Sequence, residues 1–426
     1  MRLRVERSIL SGGATVPGSK SHTIRGLLLG ALAEGTSVLR RPLRSSDTSS
    51  CVDACTALGA RIDMTTDDAW RITGTDGAPR AAEHTVDVGN SGTTLFLAMS
   101  VAALAGGDTE FTGDAQIRSR SATPLLDALR TLGARAEARG ENGCAPLLVG
   151  GGLHGGHVTI ECPTSQYLSS LLIGCPLAQG DTAIDVPLLN EEPYVRMTLA
   201  WLDRVGARYE APPDLRHVEV AGGQSYRAFD CAVPGDFSSA TFLLAAAAVT
   251  RSRIFLRGLD MQDVQGDKAV VGMLAQMGCE VATEPDGVWI SGPDELQGGE
   301  FDLNATPDAL PAMAVVGAVA RGETRLVNVA QARLKETDRI AVTARELARM
   351  GADVQERPDG LVVKGSNLHG AEVHGYGDHR MVMALAVAGL AADGETVIDT
   401  AESVDVTFPD FVALMSQIGA GMSRLP

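Results

Sequence analysis

Apolar residues follow two different patterns along this chain of 426 residues. In stretches such as "TFLLAAAAV" (241–249) and "MVMALAVAGLAA" (381–392), small and aliphatic residues occupy every position of the helical period. A helix without a polar face is buried on all sides, so these stretches predict core helices. In "TARELARM" (343–350) the apolar positions recur on one side, which predicts an amphipathic helix.

The two helix types alternate in a repeat of about 72 residues. One set of matches, from "LAEGTSVLR" to "LAADGETVID", has a helix end followed by a strand, at Gly35, Gly107, Gly180, Ser252, Gly322 and Gly394. A second set, from "ALGARID" to "QIGAGMS", places glycine at Gly59, Gly133, Gly206, Gly278, Gly351 and Gly419. Glycine at these points predicts helices that end in a left-handed conformation. The repeat therefore predicts six βαβαββ-like units in an α/β chain, three in each of two domains.

Each unit begins with small polar residues ahead of its buried helix. The six starts are "PGSKSHTIR" (17–25), "GNSGTTLF" (89–96), "CPTSQYLSS" (162–170), "PGDFSSATF" (234–242), "ATPDALPAM" (305–313) and "YGDHRMVM" (376–383). Ser, Thr, Asn and Asp at such points predict helix N-caps. Because helix N-termini carry unpaired N–H groups and partial positive charge, several that meet would form an anion site.

Composition narrows the class of partner. The formal net charge of −17 argues against nucleic acid and anionic membranes, since both require a basic surface. Seven cysteines without a CxxC pair favour a reducing compartment over disulfides or structural zinc. The first residues lack the apolar core of a signal peptide, and the apolar runs are too short to span a membrane. We therefore expect a soluble cytoplasmic protein.

Basic residues recur beside the helix starts and in loops, at Lys20, Arg25, Arg120, Lys335, Arg339 and Arg380. Each one alone would be a solvated surface cation, but the set predicts a site for carboxylate or phosphate. Asp308 and Glu336 stand among these cations, which makes them candidates for proton transfer. For the charged stretch "QARLKETDRI" (331–340), the alternative is a solvated helix face with Glu336 and Arg339 as an i,i+3 pair.

Two other motifs do not predict sites. "GGATVPGSKS" (12–21) is similar to a phosphate-binding loop, but one extra residue spoils the register between its glycines and its lysine. "HGGH" (154–157) has two histidines but no third ligand, so we expect no metal centre.

Taken in order, the motifs resemble the 5-enolpyruvylshikimate-3-phosphate (EPSP) synthase family, the 3-phosphoshikimate 1-carboxyvinyltransferases. The matching stretches are "PGSKSHTIR", "GNSGTT", "TSQ", "EPYVRMT", "GGQSY", "GDFSSA", "PDA", "RLKETDRI", "DHRM" and "TFPDF", of which "KETDR" with "DHRM" is highly specific. The resemblance implies two inside-out α/β domains of three units each, which close on their ligands like a clamp. One domain would comprise 1–18 and 235–426 and the other 19–234, with a hinge near 17–20 and 234–236.

The resemblance also implies an activity. Members transfer the enolpyruvyl group of phosphoenolpyruvate to the 5-hydroxyl of shikimate 3-phosphate and release phosphate, mostly as monomers and without a metal, nucleotide or other cofactor. The implied phosphoenolpyruvate contacts are Lys20, Gly92, Arg120, Lys335, Arg339 and Arg380. The implied acceptor contacts are Ser21, Arg25, Thr164, Ser165, Gln166, Tyr194, Asp308 and Lys335. The implied acid–base groups are Lys20 and Glu336 at the enol carbon and Asp308 at the acceptor hydroxyl. The small size of Gly92 implies ordinary sensitivity to glyphosate.

Residue 191 departs from the family pattern, because Glu191 stands where a serine or a basic residue commonly helps to hold the acceptor's phosphate. At 4 Å and an effective dielectric constant of about 20, a carboxylate would repel each unit of phosphate charge by about 4 kcal/mol. Either Glu191 turns away or pairs with a cation such as Arg196, or the acceptor is a different hydroxylated molecule from specialised metabolism.

Two further alternatives are less favoured. The related cell-wall enzymes that act on UDP-N-acetylglucosamine carry a cysteine or an aspartate in the mobile loop where this chain has Ala115. A ligand-binding or RNA-end-processing relative of the same fold would not be expected to keep "KETDR" and "DHRM" intact or to be this acidic.

Overall fold

The computed structural model describes residues 1–66 and 68–425. The chain forms two compact units. The middle unit comprises Lys20–Val233, and the terminal unit comprises Met1–Ser19 together with the residues from Pro234 onward.

The α-helices of the described chain are α1 (Lys20–Leu32), α2 (Ser46–Ala57), α3 (Gly92–Ala103), α4 (Thr123–Thr131), α5 (Ser165–Gly174), α6 (Glu192–Val205), α7 (Phe237–Val249), α8 (Ala269–Gln276), α9 (Leu310–Val319), α10 (Arg339–Arg349), α11 (His379–Ala391) and α12 (Phe411–Gln417). The strands up to Val233 are β1 (Arg2–Glu6), β2 (Ser11–Thr15), β3 (Thr36–Arg40), β4 (Arg61–Asp63), β5 (Ala69–Thr73), β6 (Val86–Asp87), β7 (Thr109–Thr112), β8 (Arg135–Ala138), β9 (Leu147–Gly150), β10 (Gly156–Thr159), β11 (Thr182–Asp185), β12 (Tyr209–Glu210), β13 (His217–Val220) and β14 (Asp230–Ala232). The later strands are β15 (Arg253–Arg257), β16 (Glu280–Glu284), β17 (Gly287–Ser291), β18 (Glu300–Asp302), β19 (Glu323–Val327), β20 (Asp353–Arg357), β21 (Gly360–Lys364), β22 (Glu372–Val373), β23 (Thr396–Ile398) and β24 (Gly421–Leu425).

The described residues form six four-stranded sheets that share one topology. In the sheet β6-β7-β9-β8, for example, β6 and β7 are parallel and are connected through α3, while β8 and β9 follow α4 and pair antiparallel. Each of the other five sheets likewise contains one parallel pair next to antiparallel strands. The predicted α/β fold of βαβαββ units is thus confirmed.

Three of the six sheets are completed by a strand from a distant part of the sequence. In the middle unit, β14 pairs in parallel with β3, although it follows the rest of that unit in the chain. In the terminal unit, β2 pairs in parallel with β15, and β1 lies between β23 and β24. These pairings hold the N-terminal residues in the same unit as the C-terminal half, so that unit is built from two separate chain segments.

Each unit has a core of three helices that are buried on all sides. Every residue of α3 in the middle unit and of α7 in the terminal unit is buried. In the middle unit α3 packs against α5 and α1, and in the terminal unit α7, α9 and α11 pack against one another. The small residues of these helices allow close approach, whereas α10 buries only one face. The inward position of the all-apolar helices agrees with the pattern in the sequence.

The predicted left-handed helix ends are confirmed for one set of glycines and only partly for the other. All six glycines of the second set have positive φ, from 81° to 112°. In the first set, Gly107 and Gly180 do not adopt positive φ, and beside Ser252 the left-handed residue is Arg251. That part of the prediction is wrong: Arg251 turns the chain after α7 in the left-handed conformation, and the described residues around Gly107 and Gly180 turn it without positive φ.

The predicted N-caps are also confirmed in part. Ser91, Thr164, Asp236 and Asp378 accept a hydrogen bond from a backbone N–H in the first turn of α3, α5, α7 and α11. Among the described side chains, none caps α9, because a 3-10 turn with proline at its first position leads into that helix.

The seven cysteines are all free and buried. Across residues 1–66 and 68–425, no helix has both the length and the apolar character needed to cross a membrane.

The same substitution at two glycines of the terminal unit is expected to have opposite effects. Gly351 has φ of 91°, and an alanine Cβ would lie 2.9 Å from Cδ2 of His369, so Gly351→Ala should lower the free energy of unfolding by about 1–2 kcal/mol. Gly272 lies in α8 with open space around it, so Gly272→Ala should raise that free energy by roughly 0.5–1 kcal/mol. Urea unfolding would measure both changes. A neutral Gly351→Ala or a destabilised Gly272→Ala would contradict this reading.

Candidate active site

Arg339 lies at the centre of a group of charges in the terminal unit, which we call the arginine cluster (Asp308, Glu336, Arg339, Asp378 and Arg380). Only 1% of the Arg339 side chain is exposed. Its Nε donates to Oδ2 of Asp378 at 2.8 Å, its Nη1 to Oδ1 of Asp308 at 2.7 Å, and its Nη2 to Glu336. Arg380 Nη2 lies 2.8 Å from the other oxygen of Asp308. One carboxylate therefore bridges two guanidinium groups.

The cluster is held together by the starts of three helices. Asp308 lies in the 3-10 turn ahead of α9, and Arg339 is the first residue of α10, which Asp338 caps. Asp378 caps α11 by accepting from the backbone N–H of Arg380 at 2.9 Å. The carboxylate of Asp378 thus caps one helix and binds the first side chain of another.

The charges of the cluster shift the pKa values of its members. Burial would raise the pKa of the Asp308 carboxyl, but the positive charge of Arg380 opposes this most strongly and holds the pKa well below its usual range. Lys335 and Arg339 add to that effect. Burial would likewise lower the pKa of Arg339, but the surrounding carboxylates, chiefly Asp378, raise it above its usual value. Asp308 and Arg339 are therefore both ionised at neutral pH.

His379 lies next to the cluster and was not predicted from the sequence. It is 1% exposed, and neither ring nitrogen has a hydrogen-bond partner among the described residues. Burial lowers its pKa to about 3, so the imidazole is neutral at neutral pH. In the sequence, His379 could have been noticed because it lies between Asp378 and Arg380 in "DHR". It is the first residue of α11.

In the middle unit, Lys20 is the first residue of α1 and is held by a carboxylate that was also missed. Its Nζ lies 3.0 Å from Oδ2 of Asp47, and the two side chains are 13% and 4% exposed. Asp47 is in the first turn of α2, behind a capping box formed by Ser45 and Thr48. The stretch "SSDTS" could have identified it, since capped helices often carry an acidic residue in the first turn.

Gly92 and Arg120 are brought together at the start of α3. A Cβ added to Gly92 would overlap Nη1 of Arg120, so the guanidinium packs directly against the glycine. Arg120 follows the 3-10 turn Ile117–Ser119, whose first N–H is bound by the carboxylate of Asp114. A residue without a side chain is required at position 92 for this arrangement.

The start of α5 contains the predicted residues Thr164, Ser165 and Gln166. Gln166 Nε2 donates to Oγ1 of Thr93 at 3.0 Å, which connects the starts of α5 and α3. The carboxylate of Glu191 accepts hydrogen bonds from Thr164 and Ser165.

Arg196, the candidate cation for Glu191, has other partners in the structure. Arg196 Nε instead donates to Oε1 of Glu192 at 2.7 Å, one turn earlier in α6. Glu191 precedes the helix, and its position there directs the carboxylate to α5.

Arg25 is buried rather than presented at a surface, with 1% of the residue exposed. Its Nε donates to Oγ1 of Thr198 at 2.8 Å, and its Nη groups donate to the carbonyl oxygens of Ser21 and Tyr194. Burial lowers its pKa to about 10. In this structure Arg25 connects α1 with α6, and Ser21 and Tyr194 are its backbone partners.

The charged stretch 331–340 divides into two parts. Arg333 pairs with Asp338 and with Glu356 at the surface, as the solvated-face alternative expects. Glu336 and Arg339 belong to the arginine cluster, and Glu336 precedes α10, so their pair lies across the start of the helix and not within it.

Within the described ranges, no group of three or more His, Cys, Asp or Glu side chains is arranged to hold a metal ion. The arginine cluster and the Lys20–Asp47 pair instead combine cations with carboxylates. Such groups can bind anions and can exchange protons.

Comparison with solved structures shows the class of protein. The fold matches two EPSP synthase structures from Acinetobacter baumannii, each with a TM-score of 0.84. One is 27% identical and covers 99% of this chain and 100% of its own; the other is 26% identical and covers 100% of both. The chain thus has the fold of an EPSP synthase.

Sequence comparison shows the family. The family model described as EPSP synthase (3-phosphoshikimate 1-carboxyvinyltransferase) matches residues 6–415. Relatives named 3-phosphoshikimate 1-carboxyvinyltransferase occur in Ruminiclostridium cellulolyticum, 51% identical over 98% of this chain and 99% of the relative, and in Acetivibrio thermocellus, 53% identical over 99% of both. This chain belongs to the EPSP synthase family and is a transferase.

The buried His379 is expected to make stability depend on pH. An unfolded histidine binds a proton near pH ~6.5, whereas folded His379 stays neutral down to about pH 3. Between these values the unfolded state binds more protons, so the free energy of unfolding falls as pH falls, by up to ~1.4 kcal/mol per pH unit. His379→Gln should flatten this slope between pH 6.5 and pH 4.5 in urea titrations.

Asp308→Asn is the matched control, because this substitution should change the pH dependence of the free energy of unfolding in a different pH range. The depressed pKa of Asp308 stabilises the folded state above the unfolded pKa of about 3.9, and that contribution is lost only as pH falls below it. Equal slopes for the wild type and His379→Gln above pH 4.5 would contradict the neutral, buried state of His379.

Proposed function

We propose that this chain acts as its family does and transfers the enolpyruvyl group of phosphoenolpyruvate to the 5-hydroxyl of shikimate 3-phosphate, with release of phosphate. The observation that carries the proposal is the arginine cluster, in which Asp308 bridges Arg339 and Arg380. Both substrates carry several negative charges, so they require cations that are already oriented. A carboxylate among those cations supplies a group that can accept a proton.

Phosphoenolpyruvate is proposed to bind to the cations Lys20, Arg120, Lys335, Arg339 and Arg380, with Gly92 against its edge. The support is that these cations are held by neighbours in the structure. Arg339 is fixed by three carboxylates, and Lys20 is held by Asp47. Preorganised donors are favourable because they need not reorient when negative charge develops during the reaction.

The chemistry is addition followed by elimination. The acceptor hydroxyl adds to C2 of phosphoenolpyruvate while C3 gains a proton, and the tetrahedral intermediate then loses phosphate from C2 and a proton from C3. Lys20 and Glu336 are proposed to handle the proton at C3, and Asp308 to receive the proton of the acceptor hydroxyl. An anionic ligand that takes hydrogen bonds from Arg339 and Arg380 would weaken their hold on Asp308 and so make it a stronger base.

The acceptor is proposed to lie against Ser21, Arg25, Thr164, Ser165, Gln166, Tyr194 and Lys335. The hydroxyl and N–H groups at the start of α5 provide neutral donors for a phosphate. Arg25 would bind the acceptor's carboxylate through a guanidinium whose other N–H groups are held by Thr198, Ser21 and Tyr194.

The proposal also covers the cell compartment, the cofactor requirement and the oligomeric state. Seven free cysteines fit a reducing cytoplasm, and the acid–base groups named above require no metal or cofactor. We propose a monomer, which light scattering would test.

Single substitutions of the proposed acid–base groups should lower turnover. Lys20→Met, Asp308→Asn and Glu336→Gln should each reduce kcat by about 10²–10⁴-fold, because each removes a proton carrier. Phosphate release from phosphoenolpyruvate with shikimate 3-phosphate measures this. Glu356→Gln is the control, since Glu356 is an exposed carboxylate that pairs with Arg333 outside the cluster. Near-normal turnover in all three variants would refute the assignment.

Substitution of Gly92 should affect one substrate more than the other. The added methyl group of Gly92→Ala would overlap Arg120 and displace its guanidinium. The KM for phosphoenolpyruvate should rise roughly 10- to 100-fold, the equivalent of one charge-assisted hydrogen bond, and the KM for the acceptor should change much less. Gly106→Ala, with nothing within 4 Å of the new Cβ, is the control. Equal rises in both KM values would show that Arg120 does not act on phosphoenolpyruvate.

A further inference from the structure

The start of α5 binds a carboxylate that belongs to the chain itself. Oε2 of Glu191 accepts from Oγ of Ser165 at 2.9 Å, from the backbone N–H of Ser165 at 3.2 Å and from Oγ1 of Thr164 at 3.2 Å. The residue is 2% exposed. A single oxygen thus accepts hydrogen bonds from two hydroxyl groups and one main-chain N–H group. We call these three donors, which belong to Thr164 and Ser165, the α5 seat.

The backbone at Glu191 is adapted to this contact. Glu191 has φ of 59° and ψ of 38°, a left-handed conformation that residues with a side chain adopt rarely. It precedes α6 without capping it by a side-chain hydrogen bond. The conformation directs the side chain to the start of α5. Glu191 therefore occupies the seat at the expense of an unfavourable backbone conformation.

The neighbouring carboxylate behaves differently. Glu192 is bound to Arg196 one turn along α6, in an exposed i,i+4 pair. Of the two adjacent glutamates, therefore, one forms an ordinary surface ion pair, and the other is buried against hydroxyl groups and an N–H group that would suit any oxyanion.

The proposed function assigns the same donors, Thr164 and Ser165, to the 3-phosphate of the acceptor. A carboxylate oxygen and a phosphate oxygen are both acceptors and cannot occupy one position. Two anions placed side by side in the seat would also repel each other.

We propose that Glu191 is a tethered occupant of the α5 seat that shikimate 3-phosphate must displace, so that this residue sets the affinity and selectivity for the phosphorylated acceptor. The inference rests on the proposed function. Binding of the acceptor's phosphate includes the cost of breaking the contacts of Glu191 with Thr164 and Ser165. An acceptor without a phosphate leaves Glu191 in place and incurs no such cost.

The test compares two ligands by titration calorimetry at fixed pH, with the whole chain. Glu191→Gln keeps the length of the side chain and removes its charge, so the dissociation constant of shikimate 3-phosphate should fall at least about tenfold, since hydrogen bonds to a charged group no longer have to be broken. The dissociation constant of shikimate, which lacks the phosphate, should stay within about twofold. Glu192→Gln is the matched control and should change neither value, because Glu192 lies outside the seat.

A second variant keeps the test decisive if Glu191→Gln fails to fold. Asn tolerates the left-handed conformation better than most residues, so Glu191→Asn removes the charge while it keeps the backbone. Circular dichroism melts identify a variant that fails to fold, and the folded one of the pair decides the result. Unchanged or weaker binding of shikimate 3-phosphate by a folded variant would overturn the inference, as would equal tightening for shikimate.

The inference and the proposed function fail separately. If the wild type releases phosphate with shikimate 3-phosphate and Glu191→Gln binds that acceptor no more tightly, Glu191 is not a competitor and the proposed function stands. If the wild type neither binds nor turns over shikimate 3-phosphate while Glu191→Gln does both, the inference holds. If neither protein binds it, both proposals are refuted.

Discussion

The need to compensate a buried guanidinium group organises the helix starts in each unit. Removing an arginine from water is costly unless acceptors surround it. In the terminal unit Arg339 meets that need with carboxylates from the starts of α9 and α11 and from the segment before α10. Three chain segments that are distant in sequence are thereby held at one point. The charges that bind one another there are also the ones that the proposed function assigns to the anionic substrate.

The middle unit meets the same need in another way. Arg25 is as deeply buried as Arg339, but its partners in the structure are hydroxyl and carbonyl oxygens. The pKa of Arg25 is therefore lowered to about 10 by burial, whereas that of Arg339 is raised by its carboxylates. Carboxylates in the middle unit are used elsewhere: Asp47 binds Lys20, and Glu191 binds the start of α5. The two units share a topology but distribute their charges differently.

Repeats and motifs predicted much of the fold and most of the residues that meet in the arginine cluster. The βαβαββ unit, the buried helices and the second set of glycines followed from periodicity and from the conformational freedom of glycine, both of which are local properties. The residues named from motifs include four of the five members of the arginine cluster. Asp378, Asp47 and His379 were missed. Local signals mark Asp47 as a first-turn acid and His379 as the neighbour of two cluster residues, but they do not show that either aspartate binds a cation or that the imidazole is buried.

By itself, the amino-acid sequence determined the repeat, the helices that are buried on all sides and the residues that carry charge near the helix starts. The last two properties depend on residues that are a few positions apart in the sequence, so a single chain segment is enough to predict them. The tertiary structure alone decided that β1, β2 and β14 complete sheets far from their own place in the sequence, that Arg25 is buried, and that Glu191 binds α5 while Arg196 pairs with Glu192. Partners of this kind are chosen by packing between distant segments, where burial makes each polar group bind the acceptor or donor that the fold places beside it.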